Sequence, residues 1–462
     1  MMPIRIAFRN ILRNARRTAL TTTAIAVGVV ALLLFGQFVI TTVLGFQTNT
    51  VRRTGHLSVF RTGYFAFGAG NPGAYSISNY QSVMHLIQSD SVLGPMIAVI
   101  TPTITLYGIA ANAQIDATKT FVGSGVIPSD RARMRRWNEY GLESVESDSG
   151  LDDHDITRGV VGVGLARVLG LCHDLAVPHC EAPPVATRSG SEAPAVVTNV
   201  SALMRQDEGA TPTSGGRRLD LLAATAGGAP NVVSFVVDRA DPQGVKELDD
   251  SYLAMHFALA QQLLYGRGEH DAVAIVLQLR RTEDLARAKA RLGALLRSHG
   301  LDLEVRDFGE LVPFYGQVIG LFGAIFSFVA TIMAIIVLFS VINTMGMSVM
   351  ERTNEIGTVR ALGLRRGDVR RQFLLEGSLL GIIGASAGVA LAFLCSILVN
   401  RAGLHWMPPG QSSPVPLRLS AAGIVPLIGS VWVGLVAMST FAALLPASRA
   451  ARMAVVDALR HV

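Results

Sequence analysis

Charged residues are scarce in this sequence, and the shortage is uneven. Aspartate, glutamate, lysine and arginine make up 16% of the 462 residues, whereas soluble globular proteins carry about a quarter. The charge-poor positions are concentrated in four long apolar stretches, and the rest of the chain has the composition of a soluble protein. This distribution excludes a purely soluble protein and indicates an integral membrane protein of the α-helical class.

Cysteine is also scarce, with three residues in the chain. Cys395 lies within an apolar stretch, where its simplest role is that of a small core residue. Cys172 and Cys180 lie in a region predicted to be extracytoplasmic, where a disulfide can form. His173 and His179 lie between them, so a metal site and free thiols are alternatives, although the spacing matches none of the common zinc patterns. We predict the disulfide and no metal.

The excess of positive charge has a membrane explanation. The net charge of +6 could suit a nucleic-acid-binding protein, but no DNA-binding or RNA-binding motif accompanies it. The arginines cluster beside the apolar stretches, which is the distribution described by the positive-inside rule. We therefore expect no nucleic-acid partner.

Four apolar stretches are long enough to span a bilayer as helices. They run from about Thr21 to Leu44, Val318 to Ile342, Leu374 to Val399 and Ala421 to Leu445. Before the first of them, arginines and apolar residues alternate at helical spacing. This pattern predicts a retained amphipathic helix in the membrane interface rather than a cleavable signal peptide.

The arginines predict the orientation of these spans. The N-terminal segment, the loop after the second span and the C-terminal tail are rich in arginine, whereas the loop after the third span has only Arg401 and Arg418. Both termini are therefore predicted to be cytoplasmic, in a multi-pass protein of the bacterial inner membrane. The predicted segments are the amphipathic helix and first span (1–46), an extracytoplasmic or periplasmic domain (47–315), the second span (316–345), a cytoplasmic loop (346–372), and the last two spans with a cytoplasmic tail (373–462).

The region between the first two spans has the pattern of an α+β domain. Ala272–Leu279 and Leu303–Arg306 are predicted strands on either side of a helix over Thr282–His299, which gives a βαβ unit. Asn231–Val237 predicts another strand and Gly244–Leu264 another helix. The predicted fold is thus four transmembrane helices with an inserted extracytoplasmic α+β domain.

Two segments of this domain contain residue types that also occur in enzyme sites. Arg131–Asp155 is rich in charge and predicts solvated surface; it ends in Asp152-Asp153-His154-Asp155, whose residue types ligate metals but whose contiguity disfavours convergence on one ion. Gly162-Val163-Gly164 lacks a strong strand–turn–helix context for binding a nucleotide. The zinc-protease and serine-hydrolase motifs are missing too, so we predict no catalytic residues.

The third span carries small residues at a spacing that suits close helix packing. Gly377 and Gly381 are four positions apart, as are Gly384 and Gly388, and this spacing lets two helices approach within one chain or between two subunits. Glu376 is a carboxylate in the same span. Its position near the cytoplasmic end favours a packing or helix-end role over ion coupling.

The cytoplasmic loop, MSVMERTNEIGTVRALGLRRGDVRRQFLLEG, carries the most specific pattern. Met347–Leu362 predicts a short helix, Gly363 its C-terminal cap, and Asp368 the N-cap of the helix that continues into the third span. A helix of mixed apolar and charged residues suits docking in a partner's groove. The candidate partner-binding residues are Met350, Glu351, Arg352, Glu355, Ile356, Gly357, Arg360 and Gly363.

This loop resembles the coupling-helix signature of the MacB/FtsX-like permeases, a family of ABC transporter subunits. The resemblance lies in Glu351-Arg352, Glu355-Ile356-Gly357 and Arg360-Ala361-Leu362-Gly363. The ending LLPASRAARMAVVDALRHV, the N-terminal amphipathic helix and the four-span layout are similar to the same family.

The resemblance implies that two permease subunits, identical or different, pair in the membrane while a dimer of cytoplasmic ATPases docks on their coupling helices. ATP-driven closure would move the outer domains, which would extract or export a lipoprotein, lipid, peptide or other amphiphile. Membrane lipids, with or without a periplasmic or outer-membrane protein, would be further partners. The sequence has no G-x-x-x-x-G-K-[ST] motif, so ATP and Mg would be used by the partner, and we expect no cofactor in this chain.

Two other functions remain open at this point. The first is that of an FtsX-like regulator that transports nothing and controls a periplasmic partner such as a cell-wall hydrolase. The second is that of a membrane-anchored enzyme.

Overall fold

The structure is a computed structural model that describes residues 9, 13, 15–68, 70–142, 151–177, 217–243, 246–266, 271–406, 415–419 and 424–453. Most of the predicted amphipathic helix lies outside these residues, as do Cys180 and His179. The described chain divides into two compact units. One contains residues 1–45, 314–405 and 416–462, and the other contains residues 46–313 and 406–415.

The first unit is built from long apolar helices. Within the described part of the chain, four helices are long and apolar enough to cross a membrane, with mean hydropathy from 1.9 to 2.8 in their most apolar windows. We call them the first (Ala15–Thr54), second (Pro313–Glu351), third (Arg366–Ala402) and fourth (Ile424–Arg452) membrane helices. The prediction of four spans is confirmed.

The first membrane helix continues about three turns beyond its apolar run and ends at Thr54, directly before Gly55. Gly55 has a φ of +70°, which favours glycine. A Cβ at Gly55 would lie 2.5 Å from Cγ1 of Val276, so the close approach also requires glycine.

The second unit is an α+β domain inserted between the first and second membrane helices, as the sequence predicts. Its strands are β1 (Leu57–Arg61), β2 (Ile97–Asn112), β3 (Ala117–Val126), β4 (Arg158–Gly162), β5 (Arg218–Ala224), β6 (Pro230–Asp241), β7 (Tyr252–His256), β8 (Ala274–Leu279) and β9 (Leu303–Asp307). Its α-helices are α1 (Tyr80–Ser89), α2 (Pro128–Arg135), α3 (Val163–Val168), α4 (Lys246–Asp249), α5 (Phe257–Tyr265), α6 (Leu285–Ser298) and α7 (Phe308–Leu311).

Four of the strands form an antiparallel sheet in the order β2-β8-β1-β9. The chain enters by β1, α1 and β2, and returns by β8, α6 and β9. Apolar side chains of α1 and α6, such as Ile87 and Leu292, pack in one core with Leu57 and Leu277 of the strands. The predicted βαβ unit around Thr282–His299 is confirmed, with β1 inserted between its two parallel strands.

The remaining strands close a barrel that shares β2 with this sheet. The order β3-β7-β4-β6-β5-β2 returns to β3 through the pairing of β2 with β3. The pairs β3–β7 and β4–β6 are parallel. Phe121, Phe235, Leu106 and Leu221 are among the buried residues of the barrel.

The structure corrects two predictions within the domain. Gly244–Leu264 was predicted as one helix, but its described part contains β7 between α4 and α5, because Leu253–Met255 are buried between β3 and β4. Arg131–Asp155 was predicted as solvated surface, but Met134 and Trp137 are buried. The prediction for Asn231–Val237 is confirmed, since these residues lie within β6.

Candidate functional site

The second membrane helix ends at Glu351, and a short helix begins at Thr353 and ends at Ala361. We call this short helix the connecting helix, and Arg352 lies between the two. Arg352 has φ −110° and ψ 15°. The Thr353 hydroxyl donates to the carbonyl oxygens of Val349 (3.2 Å) and Met350 (2.9 Å) and so satisfies the end of the long helix. The prediction of one continuous helix from Met347 to Leu362 is therefore wrong.

The connecting helix ends in a tight turn at Gly363. The amide of Gly363 donates to the Arg360 carbonyl (3.1 Å), and the amide of Leu364 donates to the Val359 carbonyl (3.2 Å). This pair of bonds defines a Schellman motif, and the φ of +102° at Gly363 is why glycine is needed. Gly363 thus ends the helix as the sequence predicts.

Asp368 does not have its predicted role. The third membrane helix begins at Arg366 with Arg365 as its N-cap, so Asp368 lies inside the first turn. A carboxylate there still interacts favourably with the positive end of the helix dipole. The N-cap prediction is wrong because the helix starts three residues earlier than expected.

The connecting helix and the residues at its two ends have an exposed side. The exposed fractions of Met350, Val359 and Leu362 are 63%, 42% and 83%, and the Glu355 side chain is 52% exposed. We call these four residues the docking face. Because solvent-exposed apolar side chains beside charged ones typically mark a protein contact, this face is the candidate site for a partner.

The opposite side of the connecting helix packs inside its own unit. Ile356 is 9% exposed and belongs to the core of the membrane helices, and Gly357 is buried. Arg352 is also buried, with 5% of its surface exposed. The structure therefore separates the predicted partner-binding residues into a docking face and an internal face that a rigid partner cannot reach.

Polar contacts tie the connecting helix and its flanks to the other helices of the unit. Arg13 pairs with Glu355 at 2.7 Å, and Arg17 pairs with Glu351. Arg360 donates to the carbonyl oxygen of Met453, just after the fourth membrane helix. Because the first two pairs are largely exposed, each contributes only about 0–1 kcal/mol to stability.

One ion pair differs from these because it is buried. Nη1 of Arg352 donates to Oε1 of Glu376 at 3.1 Å, with the two side chains 6% and 4% exposed. Glu376, which the sequence assigned to packing or a helix end, thus joins the third membrane helix to the corner at Arg352. Removing one member of such a pair typically costs about 3–5 kcal/mol, since the other charge stays buried.

Sequence reasoning missed the roles of Arg13 and Arg17. A usable signal is present, because both arginines are four positions apart and so are Glu351 and Glu355. Residues at this spacing lie on one side of a helix. The two arginines and the two glutamates therefore form rows of opposite charge with matching spacing, which makes them complementary.

The four glycines of the third membrane helix lie against neighbouring helices of the same chain. A Cβ at Gly377 would lie 2.5 Å from Cβ of Ala443, and one at Gly381 would lie 2.9 Å from Cβ of Ser439, both on the fourth membrane helix. Cβ atoms at Gly384 and Gly388 would lie 2.8 Å and 2.6 Å from Cβ of Ile25 and Val29, on the first membrane helix. The small-residue spacing therefore serves contacts within this chain.

The cysteines differ in state. Cys172 is disulfide-bonded, while Cys395 has a free thiol. Cys180, the predicted partner of Cys172, lies outside the described residues.

The acidic segment Asp152-Asp153-His154-Asp155 has a structural role in the domain. Asp153 and Asp155 accept hydrogen bonds from the amides of Ser129 (2.9 Å) and Thr157 (3.1 Å). Across the described ranges, no group of three His, Cys, Asp or Glu residues is arranged to hold a metal ion.

Gly162 does stand at a strand-to-helix junction, contrary to the sequence expectation, because β4 ends there and α3 begins at Val163. The start of this helix is already filled by Asp249, whose Oδ1 accepts from the amides of Val163 (3.2 Å) and Gln243 (2.9 Å). Burial raises the pKa of Asp249. The carboxylate occupies the place that a phosphate would need.

Comparison with known proteins finds a family match over the part of the chain that holds the last membrane helices. Residues 327–455 match the family described as FtsX-like permease C-terminal. A macrolide export ATP-binding/permease protein MacB from Chromobacterium violaceum is 30% identical over 207 residues, which are 44% of this chain and 30% of the relative. A pyoverdine export ATP-binding/permease protein PvdT from Pseudomonas aeruginosa is 30% identical over 165 residues, 36% of this chain and 25% of the relative.

An uncharacterised ABC transporter permease YknZ from Bacillus subtilis is 28% identical over 199 residues, 42% of this chain and 46% of the relative. The chain thus covers less than half the length of each of these relatives. The solved extracellular domain of a noncanonic ABC-type transporter YknZ from Gram-positive bacteria aligns with 54% of this chain and 99% of its own, at 11% identity and a TM-score of 0.28. Residues 327–455, which include the connecting helix, are thus similar to the FtsX-like permeases of ABC transporters.

Proposed function

We propose that this chain is the membrane subunit of an ABC-type complex, in which it transmits the ATP-driven motion of an ATPase to its inserted domain. The family supports an ABC transporter role. The observation that carries the finer proposal is the docking face, with Leu362 83% exposed at the tip of a helix whose other side is buried. Such a helix can transfer a push on its outer side to the packed helices behind it.

The ATPase is proposed to be a partner that binds ATP and Mg and contacts this chain at the docking face. On the docking face, Met350, Val359 and Leu362 supply apolar area, and the exposed Glu355–Arg13 ion pair supplies charges that select the partner. The partner's groove is expected to be apolar at its centre with polar residues at its rim.

We place the connecting helix in the cytoplasm and the domain outside the inner membrane. The support is the arginine bias, since Arg365, Arg366, Arg370 and Arg371 follow the connecting helix and are exposed. A cysteine at Ser82, an exposed residue of α1, should react with a membrane-impermeant maleimide in intact spheroplasts. Labelling that requires lysis would contradict this orientation.

We propose an amphiphile as the substrate. The outer side of the barrel supports this, because Tyr107, Ile109, Val122 and Val232 are 48%, 38%, 40% and 44% exposed. Tyr107 is paired with Val122, and Leu222 lies between Ile109 and Val232 in neighbouring strands. An apolar stripe across four strands suits a lipid chain or an apolar peptide segment.

The ATPase proposal is tested by a pull-down from native membranes in mild detergent. Val359→Asp and Leu362→Asp place a charge in the docking face, where it would be desolvated against an apolar groove. Each should reduce the retained ATPase at least tenfold while the protein stays in the membrane. Ser82→Asp, a charge added at an exposed site of the domain, is the matched control and should retain the ATPase.

Two outcomes would contradict the proposal. In the first, the parent retains no ATPase under conditions that preserve membrane complexes. In the second, both docking-face variants retain as much ATPase as the parent.

A further inference from the structure

The Arg352–Glu376 pair occupies a corner where three segments of the membrane unit meet. Arg352 lies between the end of the second membrane helix at Glu351 and the start of the connecting helix at Thr353. Glu376 lies on the third membrane helix, three turns from its start. The side chains meet at 3.1 Å, and each is at least nine-tenths buried.

Their burial excludes a direct role in docking. A partner bound to Met350, Val359 and Leu362 would touch the outer side of the corner, whereas Arg352 and Glu376 face inward. Burying two charges carries a desolvation cost that apolar residues of similar size would avoid. Their pairing does supply a fixed geometry, because a buried charge is stable where an opposite charge satisfies it.

The third membrane helix continues the contact to the rest of the unit. Gly377 follows Glu376 directly and packs against Ala443 of the fourth membrane helix. The Ser439 hydroxyl donates to the Gly377 carbonyl at 2.8 Å, and two turns further on Gly384 packs against Ile25 of the first membrane helix. The third membrane helix is therefore closely packed on both neighbouring helices, so a displacement of Glu376 would also displace them.

We propose that Arg352 and Glu376 are positioning residues that lock the corner of the second membrane helix and the connecting helix to the third membrane helix. A push on the docking face then moves these helices as one body instead of bending the corner. This inference rests on the proposed function, in which the push comes from an ATPase. It assigns the two residues to transmission and excludes them from partner recognition.

The first test uses the chain alone in nanodiscs, with Cys395→Ser as background and spin labels at Leu362→Cys and Leu391→Cys. Both labelled positions are exposed, at 83% and 48%, and they report on the corner and on the third membrane helix. The parent should give a narrow distance distribution. Glu376→Gln and Arg352→Gln should each broaden it at least twofold, and the exchange Arg352→Glu with Glu376→Arg should narrow it again. Equal widths in all variants would overturn the proposal.

The second test separates positioning from docking, using unlabelled protein co-expressed with the co-purifying ATPase. Glu376→Gln should retain the ATPase in the pull-down, but the change in ATP hydrolysis rate that the parent imposes on the ATPase should fall at least tenfold. Glu376→Asp should recover most of that change. Arg366→Gln, which removes an exposed arginine nearby, is the control and should behave as the parent.

Loss of the ATPase from Glu376→Gln, with unchanged label distances, would make the pair a docking element and overturn the inference while leaving the proposed function intact. If the parent retains no ATPase, the proposed function fails. The label distances then still decide whether the pair locks the corner.

Discussion

The inserted domain and the membrane unit are packed with different side chains. Phe121, Phe235 and Leu106 are among the large residues that fill the domain core. At the contacts of the third and fourth membrane helices stand Gly377, Gly381, Ala443 and other small residues. The difference follows from the solvent: water drives large apolar side chains together in the domain, whereas lipid gives no such drive between helices.

Membrane helices must therefore gain their stability from close approach and from polar contacts. The hydroxyl oxygens of Ser378 and Thr440 are hydrogen-bonded at 2.9 Å, and those of Thr21 and Thr344 at 2.5 Å. The buried Arg352–Glu376 ion pair is another polar contact between segments of this unit. The comparison predicts that removing side-chain volume destabilises the domain most, whereas adding side-chain volume destabilises the membrane unit.

The largest effect is expected for Phe235→Ala. Phe235 is fully buried, and a Cβ at Gly159 would lie 2.1 Å from its Cε2, so the ring fills space that the glycine leaves open. The substitution should destabilise the domain by about 3–5 kcal/mol through lost burial and a cavity. The rate of hydrogen exchange in peptides of the barrel should therefore rise in the full-length protein.

The matched control is Val232→Ala on the same strand. Val232 is 44% exposed, so its truncation should change stability by no more than about 0.5 kcal/mol. Equal protection of the barrel in Phe235→Ala and the parent would contradict a core held by large side chains.

A smaller effect is expected from acidification, through His56 in the domain. Its Nδ1 accepts from the Leu279 amide at 3.0 Å and its Nε2 lies 3.2 Å from the Thr282 hydroxyl, so the neutral ring is the form that fits. Burial lowers the pKa of His56 from 6.5 to about 4. Between pH 6.5 and 4, His56 is protonated in the unfolded state and neutral in the folded state. The contribution of His56 to the free energy of unfolding is therefore fully present above pH 6.5 and is lost as the pH falls towards 4.

The expected loss across this window is about 3 kcal/mol, since each pKa unit corresponds to about 1.4 kcal/mol. Hydrogen exchange of the domain, measured at several pH values, would give this loss of stability. His56→Gln should flatten the dependence between pH 6.5 and 4. An unchanged slope in that variant would assign the effect to other groups.

The sequence was most informative where the pattern is local. The four spans follow from uninterrupted apolar runs, and the βαβ unit around Thr282–His299 follows from adjacent strand and helix periodicities. The barrel could not be predicted in this way, because its pairings join distant segments: Val122 of β3 pairs with Tyr252 of β7. Such contacts leave no short-range periodicity.

The candidate site was predicted in position but not in geometry. Helical periodicity continues across Arg352 without glycine or proline, so the break there carries no standard sequence signal. The burial of Ile356 and Arg352 depends on the third membrane helix, and Glu376 is more than twenty residues further along the chain. A pattern of mixed apolar and charged residues indicates two sides to a helix but does not say which side faces the partner.

The smallest effect is expected in the membrane unit, for Gly384→Val. The new Cβ would lie 2.8 Å from Cβ of Ile25 and 3.1 Å from the carbonyl oxygen of Thr22, so the first and third membrane helices must separate. Overpacking of this kind should cost about 1–3 kcal/mol, measured as a lower midpoint in unfolding of the detergent-solubilised protein by sodium dodecyl sulfate. Gly434→Val on the fourth membrane helix is the matched control, because nothing lies within 4 Å of its added Cβ, and it should leave the midpoint unchanged. If Gly384→Val matched the parent while Gly434→Val lowered the midpoint, close packing of the first and third helices would not be the source of stability. The face around Gly434 would then have to be covered by another subunit.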